Sequence, residues 1–179
     1  NVVLMGMGEP FHNYDESIAA LELLNDPEGM NMGARRMTVS TVGLTDQIRR
    51  YTREKHPYKL AISLHAATDD LRSQFIPINR ANPLRDLLPA CAEYVEQSGR
   101  RITFEWAMIE NVNDTEEQLE ELIELLQRLL CHVNLIPLNP SAESSYRRTP
   151  MDRVAYFQKS LEENNISCSV RVRRGLDIH

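Results

Sequence analysis

The alternation of short β-prone runs with segments of helical period constrains the fold of this chain more than any other feature. Residues 2–5, 36–41, 59–65, 101–109, 132–138 and 167–172 read as six strands, rich in Val, Ile, Leu, Thr and aromatic residues. Helices are expected over 13–25, 46–55, 69–75, 84–97, 115–130 and 150–163, the first opened by a capping box at Asn13-Tyr14-Asp15-Glu16. Pro89 should kink its helix or delay its start. The glutamates of 115–130 lie opposite the leucines and read as a solvated face. Strands separated by helices cross over right-handedly, so the pattern predicts a parallel sheet with helices outside it. A complete eight-stranded barrel needs roughly 200 to 250 residues. At 179 residues the chain fits a partial or small α/β domain better, one domain over 1–179. It opens on an apolar run and closes without a polar tail, so it is read as truncated at both ends.

Composition excludes some classes. With 42% apolar and 26% charged residues there is no disorder signature, and neither a membrane span nor a signal peptide is visible. Cys91, Cys131 and Cys168 have no metal-ligand spacing, which argues against a zinc site or disulfide framework and fits a reducing cytoplasm. The net charge is -6, yet the stretch from Ser141 onward carries +2 and the remainder -8. Arg147, Arg148, Arg171, Arg173 and Arg174 cluster in that basic stretch, a possible phosphate-binding patch or an ordinary charged surface.

Function concentrates at the strand ends. Val2-Val3-Leu4-Met5 reads as a strand buried on both faces, stopped by Gly6 and Gly8 and followed by Glu9 and Pro10. Other strands end at Ser40-Thr41, at Ser63-Leu64-His65 and at Asn139. If the strands are parallel, these groups share the carboxyl rim, where α/β folds bind ligands. A carboxylate can hold an ammonium group, hydroxyls and an imidazole can hold a carboxylate or ribose, and an amide can do both. The set suits a zwitterionic ligand carrying a nucleoside. Phe11 occupies the third glycine position of a dinucleotide fingerprint, and there is no Gly-Lys-Ser/Thr loop for phosphate. Each residue also has a plainer use: Glu9 in a turn, the serines as small core or turn residues, His65 as a satisfied buried imidazole, Asn139 as a turn former.

In order along the chain, Gly6-Met7-Gly8-Glu9-Pro10, Val39-Ser40-Thr41-Val42-Gly43, Ile62-Ser63-Leu64-His65-Ala66, Asn113-Asp114, Asn134-Leu135-Ile136-Pro137-Leu138-Asn139-Pro140 and Val170-Arg171-Val172-Arg173-Arg174-Gly175-Leu176-Asp177-Ile178 occur. This series resembles the motifs of the radical S-adenosylmethionine RNA adenine-C2 methyltransferases, the RlmN/Cfr family, and is closer to the RlmN branch. The resemblance implies an α/β fold, a partial (β/α) barrel with parallel strands and helices outside, binding S-adenosylmethionine across its rim. Gly8 and Glu9 would meet the methionine ammonium, and Ser40, Ser63, Leu64, His65 and Asn139 would line the rest of the site. It implies adenosine of large-subunit rRNA, and of tRNA, as substrate, with the five arginines as contacts to the RNA backbone.

The resemblance further implies radical methylation through a methylated cysteine, an iron–sulfur (4Fe-4S) cluster and an electron donor to it, in a cytoplasmic, monomeric protein without a membrane partner. The family's cluster, carrier and resolving cysteines fall outside this chain, so no catalytic or metal-binding residue is assigned within it. The three cysteines present are expected to be structural, and the chain alone to be inactive. Two other readings compete: a radical S-adenosylmethionine enzyme of unrelated substrate, which the sequence beyond His179 would separate, and a non-catalytic fragment binding S-adenosylmethionine or RNA, which binding assays would separate.

Overall fold

A computed structural model describes residues 1–140 and 144–171. Six strands, β1 (Val2–Leu4), β2 (Met37–Thr41), β3 (Lys59–Ser63), β4 (Ile102–Met108), β5 (Cys131–Pro137) and β6 (Ser167–Val170), form one sheet in sequence order. Every neighbouring pair is parallel. Doubly wound sheets reverse strand order partway and carry helices on both faces. Sequential order with helices on one face is instead the winding of a barrel that has not closed, as the family resemblance implies.

The helices α1 (Tyr14–Asn25), α2 (Thr45–Glu54), α3 (Asp69–Phe75), α4 (Leu84–Ser98), α5 (Glu116–Leu126) and α6 (Met151–Glu163) cover the outer face. Strand alternation sends Met37 and Val39, Leu60 and Ile62, Phe104 and Trp106, and Val133 and Leu135 into the core against them. From α2, α4, α5 and α6 the core receives Ile48, Leu87, Leu122 and Phe157, each fully buried. The opposite register of the strands presents Thr38, Ser40, Ser63, Thr103, Glu105 and Asn134 to the concave inner face. The polar residues of the alternation thus line the barrel interior.

Several expectations are corrected. β1 is not buried on both faces: Val3 is 46% exposed and Met5 47%, because β1 is an edge strand whose inner side has no helix over it. Asn13 makes no capping hydrogen bond. The chain enters α1 through a 3-10 turn, Pro10–Asn13, and the side chain that caps this turn is Glu9. α4 runs through Pro89 from Leu84 to Ser98. α5 stops at Leu126 although no Gly or Pro follows, since the chain must turn to begin β5 at Cys131.

Candidate functional site

Glu9 follows β1 at the carboxyl rim. Its Oε1 accepts from the Phe11 N–H at 2.9 Å and its Oε2 from the Val42 N–H at 2.7 Å. One carboxylate therefore caps a turn and ties the end of β1 to the loop after β2. Each oxygen keeps a further lone pair, so an ammonium group can be held without releasing either N–H. Gly8 precedes it at φ +98°, a left-handed conformation that costs glycine little and leaves this stretch of backbone bare of side chains.

The next two strand ends supply hydroxyls. Ser40 and Ser63 sit on the inner register of β2 and β3, and neither Oγ has a hydrogen-bond partner among the described residues. Leu64 is fully buried, so within the predicted triplet it contributes packing and backbone. His65 adopts φ +59°. Its Nδ1 accepts from the Ala107 N–H at 3.0 Å, which fixes the neutral tautomer with hydrogen on Nε2. Burial, helped by the charge of Arg72, lowers its pKa to about 4. Asn113 holds this turn in place. Its amide donates to the carbonyls of His65 at 2.8 Å and Ala107 at 2.6 Å, and its Oδ1 accepts from the Ile109 N–H at 2.7 Å.

Arg72, which sequence reasoning passed over, lies wholly buried beneath these strand ends. It donates to the carbonyls of Val42 at 2.6 Å, Ser63 at 3.0 Å and Leu64 at 3.1 Å, and to Oδ1 of Asn79. A single guanidinium thus fastens the loops leaving β2 and β3, the fork geometry that an ammonium cannot reproduce. Burial lowers its pKa to about 10, still far above neutrality.

Asn139 follows β5, exposed at the same carboxyl end. The structure brings Gly8, Glu9, Ser40, Ser63, His65 and Asn139 to one rim, with the ends of β1, β2 and β3 adjacent. Arg147 and Arg148 are exposed in the β5–α6 connection, where the Arg147 carbonyl accepts from Glu110 after β4. Arg171 follows β6 and, rather than joining them on an outer patch, borders the inner trough. Arg173 and Arg174 lie outside the described residues.

Glu105, also missed, is buried in the middle of β4 on the inner face and accepts from Asn134 Nδ2 at 2.8 Å. Among the described residues, no group of His, Cys, Asp and Glu is arranged to hold a metal. Burial raises the thiols of Cys91, Cys131 and Cys168 to about 12, 11 and 12, so they stay protonated at neutral pH. A depression of about 150 Å³ between α2 and α4, bordered by Tyr51, His56 and Tyr94, lies by the C-terminal ends of those helices and takes no part in the rim.

No protein-family model matches the chain. Over 99% of its length it is 49% identical to the "Probable dual-specificity RNA methyltransferase RlmN" of Alkaliphilus metalliredigens, of which it spans 51%. A protein of the same name from Symbiobacterium thermophilum is also 49% identical, with 48% of it spanned. The crystal structure of a radical SAM methyltransferase from Sphaerobacter thermophilus superposes with a TM-score of 0.94 at 50% identity, over 99% of this chain and 52% of that one. A domain of a pyruvate-formate lyase-activating enzyme from Bacteroides vulgatus, at 16% identity and a TM-score of 0.71, shares the fold. The chain spans about half the length of the relatives it matches.

Proposed function

Given its 49% identity over 99% of its length to a protein named as an RNA methyltransferase RlmN and its likeness to a radical SAM methyltransferase structure, we propose that the chain belongs to the RlmN/Cfr family of radical S-adenosylmethionine methyltransferases and that its rim binds S-adenosylmethionine within a protein that methylates carbon 2 of adenosine in RNA. The substrates are large-subunit rRNA and tRNA, and the protein works as a cytoplasmic monomer that receives electrons from a separate donor. Among the described residues, no helix is long and apolar enough to cross a membrane.

The observation that carries this reading is the unspent hydrogen-bonding capacity at the rim. Ser40 Oγ, Ser63 Oγ and the Asn139 amide have no partner among the described residues, and neither has His65 Nε2 once Nδ1 is committed to Ala107. The spare lone pairs of Glu9 suit the ammonium of an amino acid, the serines and the imidazole suit a carboxylate and ribose hydroxyls, and Asn139 suits the paired donor and acceptor of an adenine edge. Bound there, S-adenosylmethionine would supply a methyl group and, beside a reduced iron–sulfur cluster, radical chemistry. The described residues do not provide a cluster site. This chain binds and orients the cofactor, Arg72 and Asn113 hold the strand ends that do so, and Arg147 and Arg148 on the same rim meet RNA phosphate.

The test is nucleoside analysis of large-subunit rRNA and tRNA after reaction with the full-length protein and methyl-labelled S-adenosylmethionine. Label in 2-methyladenosine is expected. Label only in 8-methyladenosine overturns the assignment to carbon 2, and unlabelled RNA from a preparation that still cleaves S-adenosylmethionine overturns the function.

A further inference from the structure

Below the rim, the inner face of the sheet forms a trough of about 620 Å³. Its polar wall is made by Thr38, Lys59, Thr103, Glu105, Asn134 and Arg171, and Val3 and Met5 supply an apolar lip. The rim residues account for none of these groups. Glu105 is the unusual member, a carboxylate only 7% exposed at the centre of a sheet. Its Oε2 is bonded to Asn134, whereas Oε1 has no partner among the described residues and is not sealed off from the trough. Burial raises its pKa, against the opposing effects of the Asn134 bond and the Arg171 charge. A buried carboxylate with one hydrogen bond is costly compared with an apolar residue of similar size, so the fold itself gives no reason for it.

Register places this group next to the cofactor rim. Ser63 and Glu105 are paired neighbours on β3 and β4, and Glu105 is paired in turn with Asn134. The main-chain carbonyl of Glu105 also accepts from Leu64 at 3.1 Å and His65 at 3.3 Å. A group bound at Glu105 is therefore directly beside whatever occupies Ser63 and His65. Lys59 stands four residues below Ser63 on its strand, about 13 Å at the usual rise. Arg171 stands about 7 Å above Ser169, which pairs with Asn134. A carboxylate acceptor between two cations suits a nucleotide whose base offers a donor and whose backbone carries phosphates.

We infer that the trough holds the target adenine of the RNA against Glu105, with the 6-amino group donating to Oε1 and with Lys59 and Arg171 facing the neighbouring phosphates. The inference rests on the function proposed above and adds the residue that reads the base. A carboxylate accepts from the amino group of adenine, whereas guanine and hypoxanthine present a carbonyl at that position and bring two acceptors together. Asn134 holds the carboxylate in place, so it is a positioning residue.

The experiment uses the full-length protein with saturating S-adenosylmethionine, which fills the nucleoside part of the rim, and measures binding of 5′-AMP and 5′-IMP by calorimetry. AMP is expected to bind at least about tenfold more tightly than IMP, the low end for a hydrogen bond to a charged group. Glu105→Ala should abolish that preference while S-adenosylmethionine affinity is unchanged. Glu105→Gln keeps the shape and offers both donor and acceptor, so it should bind AMP and IMP alike. Equal binding to the wild type, binding of neither nucleotide, a preference that survives Glu105→Ala, or a loss of S-adenosylmethionine binding in either variant would overturn the inference. Failure of the wild type to bind S-adenosylmethionine would instead strike at the proposed function, and is read separately in the same titrations.

Discussion

Arg72 joins three main-chain carbonyls from two strand ends, and its loss would leave those buried acceptors unpaired. Arg72→Met keeps the stem but removes every donor, and should destabilise the protein by about 3 kcal/mol or more, measured by urea unfolding. His65 predicts a pH dependence. Its pKa lies near 4 in the folded protein against 6.5 for a free imidazole, so between these values the unfolded chain binds a proton that the folded one does not. The stabilising contribution of neutral His65 is complete above about pH 6.5 and is lost as pH falls toward 4, where protonation of Nδ1 also breaks the bond from Ala107. Unfolding free energies over that range should fall less steeply in His65→Gln than in the wild type. The strand-end positions of Glu9, Ser40, Ser63, His65 and Asn139 were legible because each ends an apolar run. Arg72 was not, since an arginine in Asp69-Asp70-Leu71-Arg72 reads as a surface cation and only the packing of α3 under the strand ends buries it. Glu105 had a signal that went unread: Ile102, Phe104, Trp106 and Met108 alternate onto one face and leave Thr103, Glu105 and Ala107 on the other.

Elements show where local preference yields to the fold. Pro89 is the sixth residue of α4, where it lacks the N–H that would otherwise bond the carbonyl of Arg85 one turn back. Pro89→Ala should stabilise by about 1–2 kcal/mol, less than the roughly 3 kcal/mol of an interior proline because the unfolded chain also regains freedom. Thermal unfolding of the variant checks the sign. Gly43, just past β2, has φ +104°, and a Cβ there would lie 3.0 Å from Leu87 and 3.3 Å from Arg72. The glycine ending Val39-Ser40-Thr41-Val42-Gly43 thus permits both the turn and the close approach of α4. The existence of the strands and their parallel pairing were readable from alternation, whereas the exposure of β1 was not. An apolar run looks the same whether helices cover one face of it or two.

For the whole molecule, sequential parallel order and one-sided helices create two surfaces of opposite character from the same strands. Apolar alternates pack under helices, and polar alternates line an open interior whose carboxyl rim collects the candidate cofactor groups. The acidic total charge conceals this arrangement, because Arg147, Arg148 and Arg171 stand at the rim end while the glutamates of α5 face outward. The central claim is that the strand-end rim binds S-adenosylmethionine. Its most direct test is calorimetric titration of the cofactor into the full-length protein and into Ser40→Ala/Ser63→Ala, a double variant that removes only hydroxyls without partners among the described residues. Two lost hydrogen bonds predict an affinity lower by about tenfold or more, with unfolding free energy unchanged within about 0.5 kcal/mol. A double variant that binds as tightly as the wild type would contradict the account.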